Sequence, residues 1–263
     1  MIDYHIHTAF SADCDVPLPR MAQAACNAGL KEICFTEHID FDLPGDIDFC
    51  LDIKAYKEGF GRAVNDFPAL NMRFGIEAGL DIAAIERMEA IINAQEIDCV
   101  IGSQHLVYGK DPFYRDIWDM YTQRDIYEQY LRACAECAAA CDYYDVYGHL
   151  GYIGKFCPYE DNLLRFSDHK DAIDEILKTL VAKGKGLEIN TNGLIMTPDT
   201  MPERPIAARY RELGGEIVTI GSDAHHEATV GHAVKEALHM LKDIGFRYVC
   251  AFDRHKPRFI PIP

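Results

Sequence analysis

The chain has no apolar stretch approaching the ~18 residues that a membrane-crossing helix needs, so no transmembrane span is expected. Its first residues, Met1-Ile2-Asp3-Tyr4-His5, carry neither a basic segment nor a long apolar one, and no secretory leader is expected there. Basic runs are also missing. Lys and Arg number 26 against 42 Asp and Glu, for a net charge of −16, which argues against a general nucleic-acid surface and for a solvated acidic exterior. An anionic substrate is still admissible, because divalent ions in a site reverse the local field. Tryptophan is nearly absent, with Trp118 alone. The ten cysteines contain no second CxxC to complete four ligands. Cys134, Cys137 and Cys141 fall at i, i+3, i+7 on one face of an Ala-rich helical stretch and read as small core residues. Cysteines of this kind, without a leader, point to reduced thiols and a cytoplasmic protein.

What is present is alternation. Short β-type runs alternate with amphipathic helical patterns over Arg20–Gly29, Ile53–Val64, Ile82–Ala94, Arg124–Cys141, Asp168–Lys183, Arg204–Leu213 and Ala228–Ile244. No Ser/Gly linker or shift in composition divides them. The length, 263 residues, is near the ~250 typical of a (β/α) barrel, and residues 1–263 are expected to form one α/β domain of that kind. Two connections are long. Residues 40–51 are rich in Asp, Pro and Gly, and residues 107–123 carry Tyr108, Phe113, Tyr114, Trp118 and Tyr121. Loops of that length are expected to shape a pocket or to pack as a lid. The tail offers one more strand, Tyr248–Phe252, and a Pro-rich end, both read as structural.

The strand ends carry the chemistry. His5-Ile6-His7 closes the first run, and two ligand-type side chains one residue apart on a strand face the same way. Later runs end in Glu37-His38, Glu77, His105, His149, Asn190 and Ser222-Asp223-Ala224-His225. A barrel of parallel strands assembles such residues from distant sequence at its C-terminal face. Mixed His/carboxylate donors suit Zn, Fe or Mn, and the lack of Cys donors argues against a closed structural zinc site.

Taken in order, His-x-His, Thr-Glu-His, Gly-x-Glu, Gly-Ser-x-His, Gly-His and Ser-Asp-Ala-His resemble the PHP (polymerase and histidinol phosphatase) family over nearly the whole chain. The resemblance implies a distorted (β/α)7 barrel with two or three divalent metals at the strand C-termini. Matching motif by motif, it implies one metal on His5, His7, Glu77 and Asp223, with Glu77 bridging to a second on His105 and His149. A third would sit on His38 and His225. Many family members add a further His to that third site; this chain has Ser11-Ala12-Asp13 there, and Asp13 is assigned to it. Glu37 is expected beside the ligands rather than among them.

Such a centre suits a phosphate monoester. The expectation is that a hydroxide bridging the metals would attack phosphorus, and that the leaving alcohol would take a proton from His225, Asp223 or a water on the third metal. Within the family, Met72–Leu80, Asp98–Gly109 and Leu187–Leu194 look most like the histidinol-phosphatase group, which implies hydrolysis of L-histidinol phosphate in histidine biosynthesis. That substrate has an ammonium group and an imidazole. Glu188 and Trp118 are the expected partners for them, unless Glu188 only braces the barrel. Where the group commonly has an Arg to reach phosphate, this chain has Ile195, and Arg204 from the same loop is the expected replacement; the group's basic residue after Gly-His survives as Lys155, and His226 is a further candidate to face the phosphate. The alternatives are a PHP phosphoesterase acting on another small monoester or a nucleotide, and a non-catalytic module with a degenerate cluster. No ligand position is degenerate here, and no basic track for nucleic acid is present.

Overall fold

The alternating pattern folds as its periods require. In the computed structural model, which describes all 263 residues, seven strands run β1 (Ile2–Ile6), β2 (Glu32–Ile39), β3 (Asn71–Gly79), β4 (Cys99–Ser103), β5 (Val146–Tyr147), β6 (Gly186–Asn190) and β7 (Val218–Gly221). They lie in that order in one sheet, and every neighbouring pair is parallel. The seam between β1 and β7 is closed just past the end of β7 by a parallel bridge from Ile6 to Ala224, with His7 N–H donating to Ala224 O at 3.0 Å. The result is a nearly closed (β/α)7 barrel.

Helices cover the outside: α1 (Leu18–Asn27), α2 (Ile53–Asp66), α3 (Ile85–Asn93), α4 (Arg115–Met120), α5 (Gln123–Ala140), α6 (Lys170–Lys183), α7 (Gly193–Met196), α8 (Arg204–Glu212) and α9 (Val234–Ile244). In α1, Leu18, Met21, Ala22 and Ala25 are buried, the i, i+3, i+4, i+7 stripe of a helix laid on a sheet. The first turn of α5 is fixed by a capping box in which Thr122 and Asp125 satisfy each other's backbone N–H groups. At its other end, Lys183 Nζ donates to the carbonyls of Ala138, Ala139 and Cys141 at 2.9–3.0 Å, answering the free carbonyls of that terminus. Cys134, Cys137 and Cys141 are buried and unpaired.

Three local expectations change. The segment expected as helix over Ile82–Ala94 begins as a 3₁₀ turn, Ile82–Ala84, capped by the Asp81 carboxylate. The helix expected from Ala228 starts only at Val234, because Gly231 and Ala233 have positive φ (72° and 49°) and break the run. The Pro-rich end is a strand, β9 (Lys256–Pro261), pairing antiparallel with β8 (Tyr248–Asp253). This hairpin closes the N-terminal end of the barrel: Phe252 N–H donates to the Tyr4 hydroxyl at 2.9 Å, and Arg258 reaches Glu32 at 2.6–2.8 Å. A core of 64 buried residues runs continuously through barrel and helices. The opposite, C-terminal end of the barrel is left to the polar side chains described next.

Candidate metal centre

Glu77 lies at the middle of this end, fully buried on β3 and in register with His38 of β2. Its two oxygens face different histidines. Oε2 is 3.1 Å from His5 Nε2, 3.4 Å from His7 Nε2 and 3.1 Å from His38 Nδ1, whereas Oε1 is 2.7 Å from His149 Nε2 and 3.3 Å from His105 Nε2. Asp223, just beyond β7, puts Oδ1 within 3.5–3.7 Å of His5, His7 and His225. It does so from a φ of 53°, a conformation that Asp tolerates better than most residues and that aims the carboxylate back over the barrel mouth. Asp13 Oδ2 reaches His225 Nε2 at 3.1 Å and His38 Nε2 at 3.5 Å. All nine residues expected as ligands therefore meet in one place.

Four groups have donor atoms within 4.8 Å of one another: His5, His7 and Asp223; His5, Glu77 and His149; His38, Glu77 and His105; and His7, His38 and His225. His38 appears beside Glu77 as well as beside His225, so its ring lies between two of the expected positions.

A layer behind these residues fixes which nitrogen faces inward. His5 Nδ1 is 2.6 Å from Glu188 Oε1, and His105 Nδ1 is 2.7 Å from Asp40 Oδ1. His7 Nδ1 is 3.2 Å from Ser11 Oγ, whose own hydroxyl donates to Glu37 Oε2 at 2.6 Å. Each outer partner accepts from Nδ1–H, which leaves Nε2 of His5, His7 and His105 as a bare lone pair. Glu37 also accepts from Thr8 N and Thr8 Oγ1, and burial raises its carboxyl to about 7. Of this layer, Asp40 and Ser11 were not singled out in the sequence. The signal for Asp40 was its place two residues after His38, on the same side of an extended run.

Buried atoms without partners show what the centre accepts. His5 Nε2, His7 Nε2, His38 Nδ1 and Glu77 Oε2 are all inaccessible and make no hydrogen bond. Orphaned acceptors facing one another in a dry site are costly unless a cation lies between them. The ionisation pattern agrees. Burial works against charge at every one of these groups. Even so, the neighbouring carboxylates hold His5 and His38 above their ordinary values and His105 up at about 10, while the imidazoles hold Glu77, and Lys155 together with the imidazoles holds Asp223, well below the usual carboxylate range. Burial and the adjacent His225 and His38 push His7 the other way, well down. The cluster calls for positive charge, and its N and O donors fit two or three divalent ions such as Zn, Fe or Mn.

The cleft above is lined by Asp13, His38, Asp40, Leu43, Phe49, Glu77, His105, Asp111, His149, Tyr152, Lys155, Asp223 and His225. Of the expected substrate contacts, only Lys155 is among them. Trp118 is buried, with its indole N–H donated to Pro112 O at 2.8 Å, and packs against Tyr127 instead of facing the cleft. Glu188 is fully buried and spent on His5 Nδ1, His149 N–H (2.7 Å) and Asn190 (3.3 Å), so it is the brace rather than an ammonium partner. Arg204 is directed outward, toward Asp243 at 3.8 Å. The His226 ring accepts from Ala228 N–H at 3.2 Å and lies in an outer depression with Arg20 and Glu227.

The model of the PHP domain family matches residues 3–192. The histidinol-phosphatase of Lactococcus lactis subsp. lactis is 32% identical over 97% of this chain and 95% of its own length. The "Probable histidinol-phosphatase" of Clostridium acetobutylicum is 32% identical over 95% of this chain and 96% of its own. Among solved structures, the Lactococcus lactis histidinol phosphate phosphatase, crystallised with zinc, L-histidinol and phosphate, superimposes with a TM-score of 0.90 at 30% identity, covering 98% of each chain.

Proposed function

The chain belongs to the PHP domain family, and from that premise we propose that it hydrolyses L-histidinol phosphate to L-histidinol and phosphate with divalent metal ions as cofactor. The observation that carries this reading is the buried set of bare imidazole nitrogens around Glu77, in a fold shared end to end with an enzyme crystallised with zinc, L-histidinol and phosphate. We assign His5, His7, Glu77 and Asp223 to one metal, Glu77, His105 and His149 to a second, and His38, His225 and Asp13 to a third. Ions held there would supply positive charge for the phosphate oxygens and make water nucleophilic at neutral pH.

The chain's own residues do the rest. Glu188, Asp40 and Ser11 hold the imidazoles with Nε2 inward, so no reorganisation is needed when charge develops. Lys155, above the rings of Tyr152 and Phe156, faces the cleft and supplies a cation for the phosphate. As water oxygen attacks phosphorus, the bond to the alcohol oxygen breaks and that oxygen takes a proton. His225 positions the donor rather than giving the proton itself: its Nδ1–H is donated to Asp223 O at 3.0 Å and its Nε2 faces Asp13 at 3.1 Å, so the proton comes from water in the cleft that these groups orient. Asp223, held well below the usual carboxylate range, is ionised and carries no proton for this step.

The whole chain, 1–263, acts as one catalytic unit in this reading, in histidine biosynthesis and in the cytoplasm. Ten unpaired cysteines support that compartment. No helix is long and apolar enough to cross a membrane.

The test is phosphate release from L-histidinol phosphate and from a generic aryl phosphate, by protein reconstituted with Zn or Mn and by the same protein after chelation. A strong preference for histidinol phosphate, lost on chelation and restored by metal, is expected. Equal and feeble turnover of both would point to another monoester. Full activity after exhaustive metal removal would overturn the metal-dependent reading.

A further inference from the structure

Five carboxylates line the cleft: Asp13, Asp40, Glu77, Asp111 and Asp223. Four lie within ion-pair distance of histidines of the centre: Asp13 at 3.1 Å, Asp40 at 2.7 Å, Glu77 at 2.7 Å and Asp223 at 3.5 Å. Asp111 does not. One oxygen accepts the N–H of Phe113 at 2.8 Å, and no other hydrogen bond or ion pair reaches the group. It is partly buried, close enough to His105, Asp40 and Tyr152 for its charge to be felt at each, and burial pushes its carboxyl above the ordinary value. A half-desolvated carboxylate with a free oxygen, beside a cleft, lacks a cationic partner.

Its position is built rather than incidental. Val107 and Lys110 pair as a two-residue hairpin, with Tyr108 and Gly109 at φ 48° and 76°, the positive-φ pair such a turn requires. Asp111 follows directly. The next residue, Pro112, is buried and has its carbonyl held by the Trp118 indole. The aromatic loop thus clamps the backbone on both sides of Asp111, and Trp118 acts as a positioning residue for it.

We infer that Asp111 is the specificity determinant that binds the primary ammonium group of the substrate, in the same cleft as the Lys155 that takes the phosphate. This rests on the function proposed above and deepens it. In L-histidinol phosphate the ammonium stands on the carbon next to the CH2–O–P group, so its carboxylate must lie near the cation that takes the phosphate; the charge of Asp111 reaches Tyr152, whose ring lies under Lys155 in the same cleft. The role expected of Glu188 from the sequence passes to a residue six positions beyond His105.

The test compares wild type, Asp111→Asn and Asp111→Glu, all metal-loaded. Two quantities are measured: the ratio of kcat/KM for L-histidinol phosphate to that for its analogue lacking the amine, and calorimetric affinity for L-histidinol. The ratio is expected to fall at least tenfold in Asp111→Asn and to be partly kept in Asp111→Glu, with L-histidinol bound at least tenfold more weakly by the Asn variant. Bound metal, measured by elemental analysis, is expected to be unchanged. A ratio within twofold of wild type would overturn the assignment. So would loss of metal from Asp111→Asn, since the carboxylate would then serve the ions. If the Asn variant does not fold, the Glu variant decides: a wild-type affinity for the deaminated analogue's product equal to that for L-histidinol, unchanged in Asp111→Glu, refutes an ammonium site. Wild type that releases no phosphate from L-histidinol phosphate would sink the proposed function and Asp111's role together, whereas active wild type with an indifferent Asn variant would remove Asp111 alone.

Discussion

Glu188 Oε1 lies 2.6 Å from His5 Nδ1, although the two residues are 183 positions apart and stand on β6 and β1, the two neighbours of β7 at the barrel seam. The contact fixes the tautomer and plane of an imidazole enclosed by three carboxylates, Glu77, Glu188 and Asp223. Replacing Glu188 with Gln keeps the shape and removes the charge. Metal affinity is expected to fall about 10–100-fold, with kcat falling alongside under limiting metal, while the fold stays intact. Metal titration against a competing chelator reads this directly, and unaltered affinity would strip Glu188 of its positioning role.

Gly221 makes that contact possible. A Cβ added there would lie 2.3 Å from His5 Cβ and 2.4 Å from Glu188 Oε1, closer than atoms can approach. Gly221→Ala must therefore displace one of them within a packed barrel. A cost of about 1–3 kcal/mol is expected, seen as a Tm lowered by about 2–4 °C per kcal/mol for a chain of this size. Metal affinity should fall as well. An unchanged Tm and full metal binding would show that the seam relaxes freely.

The sequence carried the strands and their terminal ligands because both are local signals: a β-type run, then a ligand residue at its end. His5, His7, Glu77, His105, His149 and Asp223 were legible in that way, and the motif order tied them to a family. Asp40, Ser11 and Asp111 were less so. Their roles depend on what lies across the barrel mouth, which no spacing within one segment reports. Trp118 and Arg204 show the converse: aromatic or basic character in a loop near a site says nothing about direction. Trp118 turned inward to hold Pro112, and Arg204 turned outward to Asp243. The tail was hard to read because its prolines look like strand breakers, yet Pro257 and Pro261 sit in a two-stranded ribbon where β9 has a free edge.

Lys155 and Arg204 separate cleanly in function. Lys155 faces the cleft and its charge is felt at Asp223, while Arg204 is half-exposed on the outside. Lys155→Ala is expected to lower kcat/KM for a phosphomonoester by about 10–100-fold, the range of a lost charge-assisted contact of about 1.5–3 kcal/mol. Arg204→Ala is expected to stay within about twofold, as surface substitutions away from such contacts usually do. Steady-state kinetics on both variants decides. A large loss in Arg204→Ala would mean that the loop before α8 swings over the cleft during turnover.

Stability in acid should report a pair far from the metal centre. Arg209 grips Asp174 with one edge of its guanidinium, Nε and Nη2, at 2.7 and 2.8 Å, tying α8 to α6, and Lys178 adds a contact at 3.2 Å. The hydrogen bonds from Arg209 lower the Asp174 carboxyl from 3.8 to about 2, against a small opposing effect of burial. Because the folded-state value is depressed, the pair's contribution is fully present above pH 3.8. It declines as pH falls from 3.8 toward 2 and is gone below that. At neutral pH it is worth on the order of 1–2 kcal/mol after allowing for solvent at the arginine. Denaturant unfolding of wild type and Asp174→Asn should differ by that amount at pH 7 and converge as pH approaches 2. A gap that persists at the acid end would assign the loss to packing between the two helices and not to the charge on Asp174.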